Sequence, residues 1–310
     1  MTLENRIEAF VKLGKQLQDL TPEERKALSL IAQAKNPWFD EANVSAALQG
    51  ITTLLDEQYL REWLYPYHLK QVTPKKVGVV MAGNIPMVGF HDFLCVLCSG
   101  NKVLVKLSSE DARLLPAIVQ ILTSFEPQLK DRITIASGKL QGFDAVIATG
   151  SNNSMLHFKQ YFANCPYLLR GHRTSIAVLN GTETPEELTA LGQDIFQYFG
   201  RGCRNVTQLW IPENFELNRF FEAILPYAEV INHKKYGNNY DYNKAVHLMN
   251  QVPILDNNFV LLKESTDLYS PLSVLHYQRY NDHNEVLTHL EENQHQIQCI
   301  VGHNYLPFGS

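Results

Sequence analysis

Between Val77 and Ser151 the chain repeats one unit: a short apolar run, a turn built of small polar residues, and a helix-length stretch. Val77-Gly78-Val79-Val80-Met81-Ala82 opens the series and Gly83-Asn84-Ile85-Pro86 breaks it, before a largely apolar helical stretch to Ser99-Gly100. Val103-Leu104-Val105-Lys106-Leu107 is followed by Ser108-Ser109-Glu110 and a helix from Asp111. Ile133-Thr134-Ile135 and Asp144–Thr149 continue the alternation, the latter ending in Gly150-Ser151. Apolar runs without polar alternation suit strands covered on both faces. Their alternation with helices predicts a doubly wound parallel sheet. Ligands of such sheets collect at the carboxyl ends of the strands, where Asn84, Lys106, Ser108, Ser109, Gly150 and Ser151 all fall. The G-x-G-x-x-G dinucleotide fingerprint is absent. These residues therefore read either as turn formers or as holders of a polar ligand.

Upstream, Leu3, Ile7, Phe10, Leu13, Leu17 and Leu20 recur at helical spacing, with Gly14 inside the pattern. Thr21-Pro22-Glu23-Glu24 carries a cap, a first-turn proline and a capping-box glutamate. A loop at Asn36–Phe39 precedes another helical pattern through Leu60. Downstream, Ser175–Leu179 starts a second unit. Thr184-Pro185-Glu186-Glu187 repeats the capping signal, and Leu188, Leu191, Ile195, Phe196 and Phe199 form the buried face of a helix expected to end at Gly200. Phe215 to Leu225 reads as helix, and Tyr236–Asn243 as an exposed loop and start of a helix. Phe259–Lys263 and Leu272–Tyr277 read as strands, Asn284–Asn293 as helix, and Ile297–Val301 as a last strand.

The net charge of −5 implies no broad attraction to nucleic acid or anionic membrane. No apolar stretch approaches the roughly 18 residues that span a bilayer, and no signal peptide is seen. The five cysteines, at 95, 98, 165, 203 and 299, are an odd number, which suits reduced thiols and a cytoplasmic location. Cys95 and Cys98 have CxxC spacing but close an apolar run, so packing explains them better than a metal, and no metal site is expected.

Cys203 differs. A helix pattern runs into Gly200-Arg201-Gly202-Cys203-Arg204 and a β-leaning run leaves it. A thiol held there between arginines could be exposed and ionised, since nearby cations lower a cysteine pKa. The other reading is one more small apolar residue in a loop.

The order of motifs resembles the aldehyde dehydrogenase superfamily, and within it the acyl-CoA reductases of the LuxC type, over residues 75–309. Gly83-Asn84-Ile85-Pro86 is similar to the family's Asn-Phe-Pro turn. Ser99-Gly100-Asn101-Lys102-Val103-Leu104-Val105-Lys106 resembles the segment before the strand ending in lysine, and Thr149-Gly150-Ser151 the Thr-Gly-Ser turn facing the cofactor. Gly202-Cys203 resembles the nucleophile segment, and Leu306-Pro307-Phe308-Gly309 the Pro-Phe-Gly near the family's C-terminal end. The resemblance implies an aldehyde dehydrogenase-like fold of two doubly wound α/β domains with an N-terminal helical region. Residues 1–173 would carry the helices and the nucleotide-binding domain, and 174–310 the catalytic domain. Cys203 would take the acyl group as a thioester. Asn84 and the Cys203 backbone N–H would meet the oxyanion. Lys106 and Ser108 would meet the adenine-side ribose, Gly150 and Ser151 the pyrophosphate and nicotinamide, and Asp267 the nicotinamide ribose.

Two departures from the family pattern bear on chemistry. Leu169 stands where hydrolytic members place the glutamate that activates water, and leucine cannot act as a base. That favours reduction of an acyl-CoA or other acyl thioester over release of an acid. His172 beside it reads as a proton donor or acceptor, or as a structural histidine. Ser109 stands where NAD-selective members place a glutamate, while Lys106 would attract a 2′-phosphate. The expected cofactor is therefore NADPH, with NADH possible and Glu110 competing. Arg201 and Arg204 read equally as thiolate partners, coenzyme A phosphate contacts or structural ion pairs. Reduction of an acyl phosphate, and nucleotide or acyl binding without reductase activity, stand as alternatives. The family continues past Pro-Phe-Gly into a segment that pairs subunits, whereas this chain stops at Ser310. A shortened chain is one expectation, and a homo-oligomer stays open.

Overall fold

The computed structural model describes residues 1–69 and 72–310. The chain forms two compact units, Met1–Gly171 and His172–Ser310.

The first unit begins with four helices, α1 (Leu3–Gln18), α2 (Pro22–Gln33), α3 (Glu41–Leu54) and α4 (Glu57–Leu64). Thr21 and Glu24 close a reciprocal capping box at the start of α2, satisfying two backbone N–H groups that helix geometry leaves without partners. Gly14 lies where α1 meets the end of α3: a Cβ there would stand 2.9 Å from Leu55 Cβ. The helical pattern read through Leu60 is two helices, because Asp56 accepts from the Gln58 and Tyr59 N–H groups and starts α4.

The sheet follows: β1 (Lys76–Val80), α5 (Phe90–Cys98), β2 (Lys102–Lys106), α6 (Leu114–Phe125), β3 (Ile133–Ile135), β4 (Ala145–Thr149), α7 (Asn152–Tyr161) and β5 (Tyr167–Arg170). Its order is β3-β2-β1-β4-β5 and every pairing is parallel. The strand order reverses at β1, so β2 and β4 flank it and the turns after all three strands share one edge. Phe10 and Leu13 of α1 join Phe90 and Phe93 of α5 in one apolar core with Val79 and Val105.

The second unit contains β6 (Thr174–Val178), α8 (Pro185–Phe196), β7 (Val206–Pro212), α9 (Leu217–Ala223), α10 (Lys234–Met249), β8 (Leu255–Asp256), β9 (Leu261–Glu264), β10 (Val274–Tyr280), α11 (His283–Asn293) and β11 (Ile297–Val301). The sheet order is β11-β6-β7-β10-β9-β8, antiparallel only between β8 and β9. The stretch Tyr236–Asn243, read as a loop and helix start, lies wholly within α10. Its side chains bond to distant backbone: the Tyr236 hydroxyl donates to the Phe259 carbonyl at 3.0 Å and the Asn243 amide to the Leu272 carbonyl at 2.9 Å. Among the described residues no helix is long and apolar enough to cross a membrane.

Candidate active site

In the first unit, the turns after β1, β2 and β4 bring Gly83 and Asn84, Lys106 through Ser109, and Gly150 and Ser151 to the same sheet edge. The first two turns touch. A Cβ on Gly83 would lie 2.5 Å from Ser108 Oγ, so the close approach requires glycine. The Ser108 hydroxyl oxygen accepts the Glu110 N–H at 3.2 Å and opens a short 3-10 turn, Ser109–Asp111. Ser109 is exposed there, while Lys106 and Asn84 are half-buried. The Ser151 hydroxyl oxygen accepts the Ser154 N–H at 3.2 Å and caps α7, whose N-terminal end carries partial positive charge. Leu169, half-buried on β5, packs against the apolar cluster of Val146 and Phe162, and its neighbour Arg170 pairs with the buried Asp92 of α5.

In the second unit, α8 ends at Phe196 and does not continue to Phe199 as its apolar spacing predicts. Tyr198, Phe199 and Gly200 take φ values of 52°, 58° and 74°, which turns the chain out of the helix. Holding two non-glycine residues there costs about 1–2 kcal/mol each, and surrounding bonds sustain it. Asn205 supplies several of them. Its amide donates to the Asp194 and Gln197 carbonyls at 3.0 and 2.9 Å, and its side-chain oxygen accepts the Gly202 N–H at 2.7 Å. The Ser175 hydroxyl of β6 donates to the Cys203 carbonyl at 3.0 Å. The cysteine peptide is thus held from both sides. The Pro307-Phe308-Gly309 segment joins the same scaffold, since the Gly309 N–H donates to the Asp194 carboxylate at 2.7 Å.

Cys203 alone among the five cysteines is exposed. The expectation of a thiolate stabilised by flanking arginines is not what the environment produces. Desolvation pushes the Cys203 thiol pKa up, with Cys299 adding to the rise and its own backbone N–H, Arg204 and Arg173 opposing it less strongly. Cys95 and Cys98 are also raised by burial, to about 11 and about 12.

His172 and Tyr269 form a second constellation in this unit. Their rings lie 4.9 Å apart with a tilt of 31°, and the Tyr269 hydroxyl donates to the His172 carbonyl at 3.2 Å. Surrounding protein lowers the His172 pKa, so the imidazole is neutral at neutral pH and able to accept a proton. Asp267, two residues before Tyr269, is exposed, and its carboxylate accepts from the Ser265 hydroxyl at 3.2 Å. Its carbonyl is bonded by Gln208 at 3.3 Å and by His276 at 2.8 Å, both buried. A cavity of about 260 Å³ is lined by His172, Arg201, Thr207 and Ser270 together with aromatic and aliphatic walls that include Phe199 and Tyr236.

Sequence reading named Asn84, Lys106, Ser108, Ser109, Gly150 and Ser151, and the first unit gathers them at one edge. It named Cys203, His172 and Asp267, which the second unit carries. Asn205, Ser175, Tyr269 and Gln208 were not singled out. Their role depends on partners in other elements or loops, and only Asn205, two residues past Cys203, lies next to the motif.

A family model of acyl-CoA reductase (LuxC) matches residues 9–235. The chain belongs to that family. Membership and fold make it an oxidoreductase of aldehydes or acyl-CoA. No match is found among curated proteins. Several solved structures are similar over 93% of this chain. Betaine aldehyde dehydrogenase from Staphylococcus aureus, in complex with NAD+, is 13% identical, with 68% of its own chain covered and a TM-score of 0.68. Lactaldehyde dehydrogenase from Escherichia coli is 12% identical, with 72% covered and a TM-score of 0.68. An aldehyde dehydrogenase from Bacillus cereus, solved as an NAD+ complex, is 13% identical, with 69% covered and a TM-score of 0.66. At such identities the likeness establishes the aldehyde dehydrogenase fold for this acyl-CoA reductase family member.

Proposed function

We propose that this acyl-CoA reductase family member reduces an acyl thioester of coenzyme A to an aldehyde through an acyl group held on Cys203. The observation that carries the reading is the exposed thiol on a backbone held by Asn205 and Ser175. Cys203 Sγ forms a bond to the thioester carbonyl carbon, the bond to the coenzyme A sulfur breaks, and the proton lost by the cysteine leaves on the free thiol of coenzyme A. A raised thiol pKa means that this proton must be taken during attack. His172, neutral because its pKa is lowered, is assigned that task. Asn84 is assigned the side-chain amide that meets the acyl oxygen as charge develops on it, together with the Cys203 N–H.

The edge of the first unit fits a nicotinamide dinucleotide. Gly83 leaves no side chain between the turns after β1 and β2, Lys106 offers a cation, and the capped start of α7 faces the same edge with N–H groups suited to an anion. Such a cofactor, when bound, supplies hydride to the acyl carbon. Ser109 and Lys106 favour NADPH through its 2′-phosphate, and NADH is the form that would use Glu110. Leu169, packed in an apolar cluster, gives water no base, so the acyl group on Cys203 should persist until it is reduced or returned to a thiol.

Intact-mass analysis after mixing with acyl-CoA tests the reading. An adduct on Cys203 that is absent from Cys203→Ala, followed by aldehyde release on adding NADPH, supports it. An adduct formed only from an acyl phosphate moves the substrate class. No adduct, with nucleotide still bound, overturns the reductase reading in favour of binding alone.

A further inference from the structure

Asp111 is the last residue of the 3-10 turn after β2, three residues beyond Ser108, and is only 8% exposed. One carboxylate oxygen accepts the Met87 backbone N–H at 2.7 Å, across 24 residues of sequence. Met87 ends the Gly83-Asn84-Ile85-Pro86 turn and stands at φ 58°, in the left-handed region, which a non-glycine residue keeps only where its surroundings enforce it. Two steric contacts close the rest of this turn. Gly83 abuts Ser108, and a Cβ on Gly89 would lie 2.4 Å from Met81 Cγ. The Met87 N–H thus ties this turn to Asp111 Oδ2, while the other carboxylate oxygen, Oδ1, is buried without a hydrogen-bond partner. Stability alone does not explain a carboxylate in that position, because a buried oxygen left without a donor is unfavourable.

We propose that Asp111 is a positioning residue for the reductase: it holds Met87 in its left-handed conformation and thereby sets the orientation of Asn84. The inference rests on the reading of Asn84 as the amide that meets the acyl oxygen. It accounts for three features together: the strained Met87, the carboxylate sealed under the turn, and the direct joining of the β2 turn to the β1 turn. Asp111 is buried beneath the turn and bonded to Met87, so its assigned action passes through the turn.

The test is a double-mutant cycle on the rate at which Cys203 is acylated, read by intact mass without nucleotide, with saturated acyl-CoAs from acetyl to palmitoyl as probes. Asn84→Ala should slow acylation by about a hundredfold, the scale of one lost oxyanion donor. Asp111→Ala should slow it by about tenfold in the native background and by less than about twofold on top of Asn84→Ala, the signature of residues acting as one unit. Asp111→Asn keeps an oxygen for the Met87 N–H and should restore the rate to within about threefold of native. Should Asp111→Ala fail to fold, Asp111→Ser replaces it in the cycle with the same expectation. A native rate in Asn84→Ala overturns the role of Asn84 and this inference with it. A slow Asn84→Ala combined with an Asp111 variant that is unchanged, or that slows both backgrounds equally, overturns this inference alone.

Discussion

The Asn205 side-chain oxygen accepts the Gly202 backbone N–H at 2.7 Å while the Asn205 N–H returns to the Gly202 carbonyl at 3.1 Å. Gly202 and Asn205 therefore close a ring of bonds around the Cys203 peptide, and the amide nitrogen of Asn205 ties that ring to the end of α8. Asn205→Ala takes this partner from the Gly202 N–H and from the Asp194, Ile195 and Gln197 carbonyls in a buried place. A loss of about 2–4 kcal/mol is expected, measured as a shift in urea midpoint. Asn205→Asp should be worse, because a carboxylate oxygen would then face the Asp194 and Gln197 carbonyls. An Asn205→Ala protein as stable as native would show that the ring is not what holds the strained Tyr198-Phe199 pair.

The thiol of Cys203 should alkylate slowly at neutral pH despite its exposure. Its pKa is raised by surrounding protein, so the thiolate fraction at pH 7 is below that of a free cysteine. The rate with iodoacetamide should climb only above the pH at which a free thiol titrates. Arg204→Gln removes one of the opposing charges and should move the profile further up. A profile below that of free cysteine would contradict this environment.

Asp111 makes stability fall as pH rises. Burial pushes its carboxyl up to about 6, above the unfolded value of about 3.9. Between these pH values the native state holds a proton that the unfolded state has released, so stability decreases from about pH 4 to about pH 6 and then levels. The full effect is about 2–3 kcal/mol. Asp111→Asn should lack this component, and the native-minus-variant difference in unfolding free energy across the window measures it. A difference that is flat or rises with pH would contradict the shift.

Ser109 is the place to move cofactor preference. It is exposed at the start of the 3-10 turn after Ser108, where a carboxylate would repel a 2′-phosphate and accept from ribose hydroxyls. Ser109→Glu should raise the Kd for NADPH by about tenfold and leave that for NADH equal or lower, read by fluorescence titration. Equal changes for both nucleotides would remove Ser109 from the cofactor site.

The capping boxes at Thr21 and Thr184 were legible because their hydrogen bonds span three residues. Asn205 was not, because its partners at Asp194 and Gln197 lie on the preceding element. From sequence the Tyr236–Asn243 helix reads as an exposed loop and helix start because it lacks an apolar stripe. Its buried side chains are tyrosines and an asparagine whose polar ends reach carbonyls and a carboxylate elsewhere in the unit. The end of α8 was misplaced for a related reason, since the apolar residue Phe199 fits the helical period but serves a left-handed turn.

Sequence by itself determined the alternation of strand and helix, the turns that end β1, β2 and β4, and the capping boxes at Thr21 and Thr184. Those features rest on local geometry and on periods set by backbone pitch. Tertiary structure alone decided the direction of the Cys203 and Asp111 pKa shifts, the left-handed path of Tyr198 and Phe199, and the joining of Asp111 to Met87. Desolvation sums over atoms from many elements, and a strained backbone survives only where distant partners hold it. Neither quantity is written in any short stretch of residues.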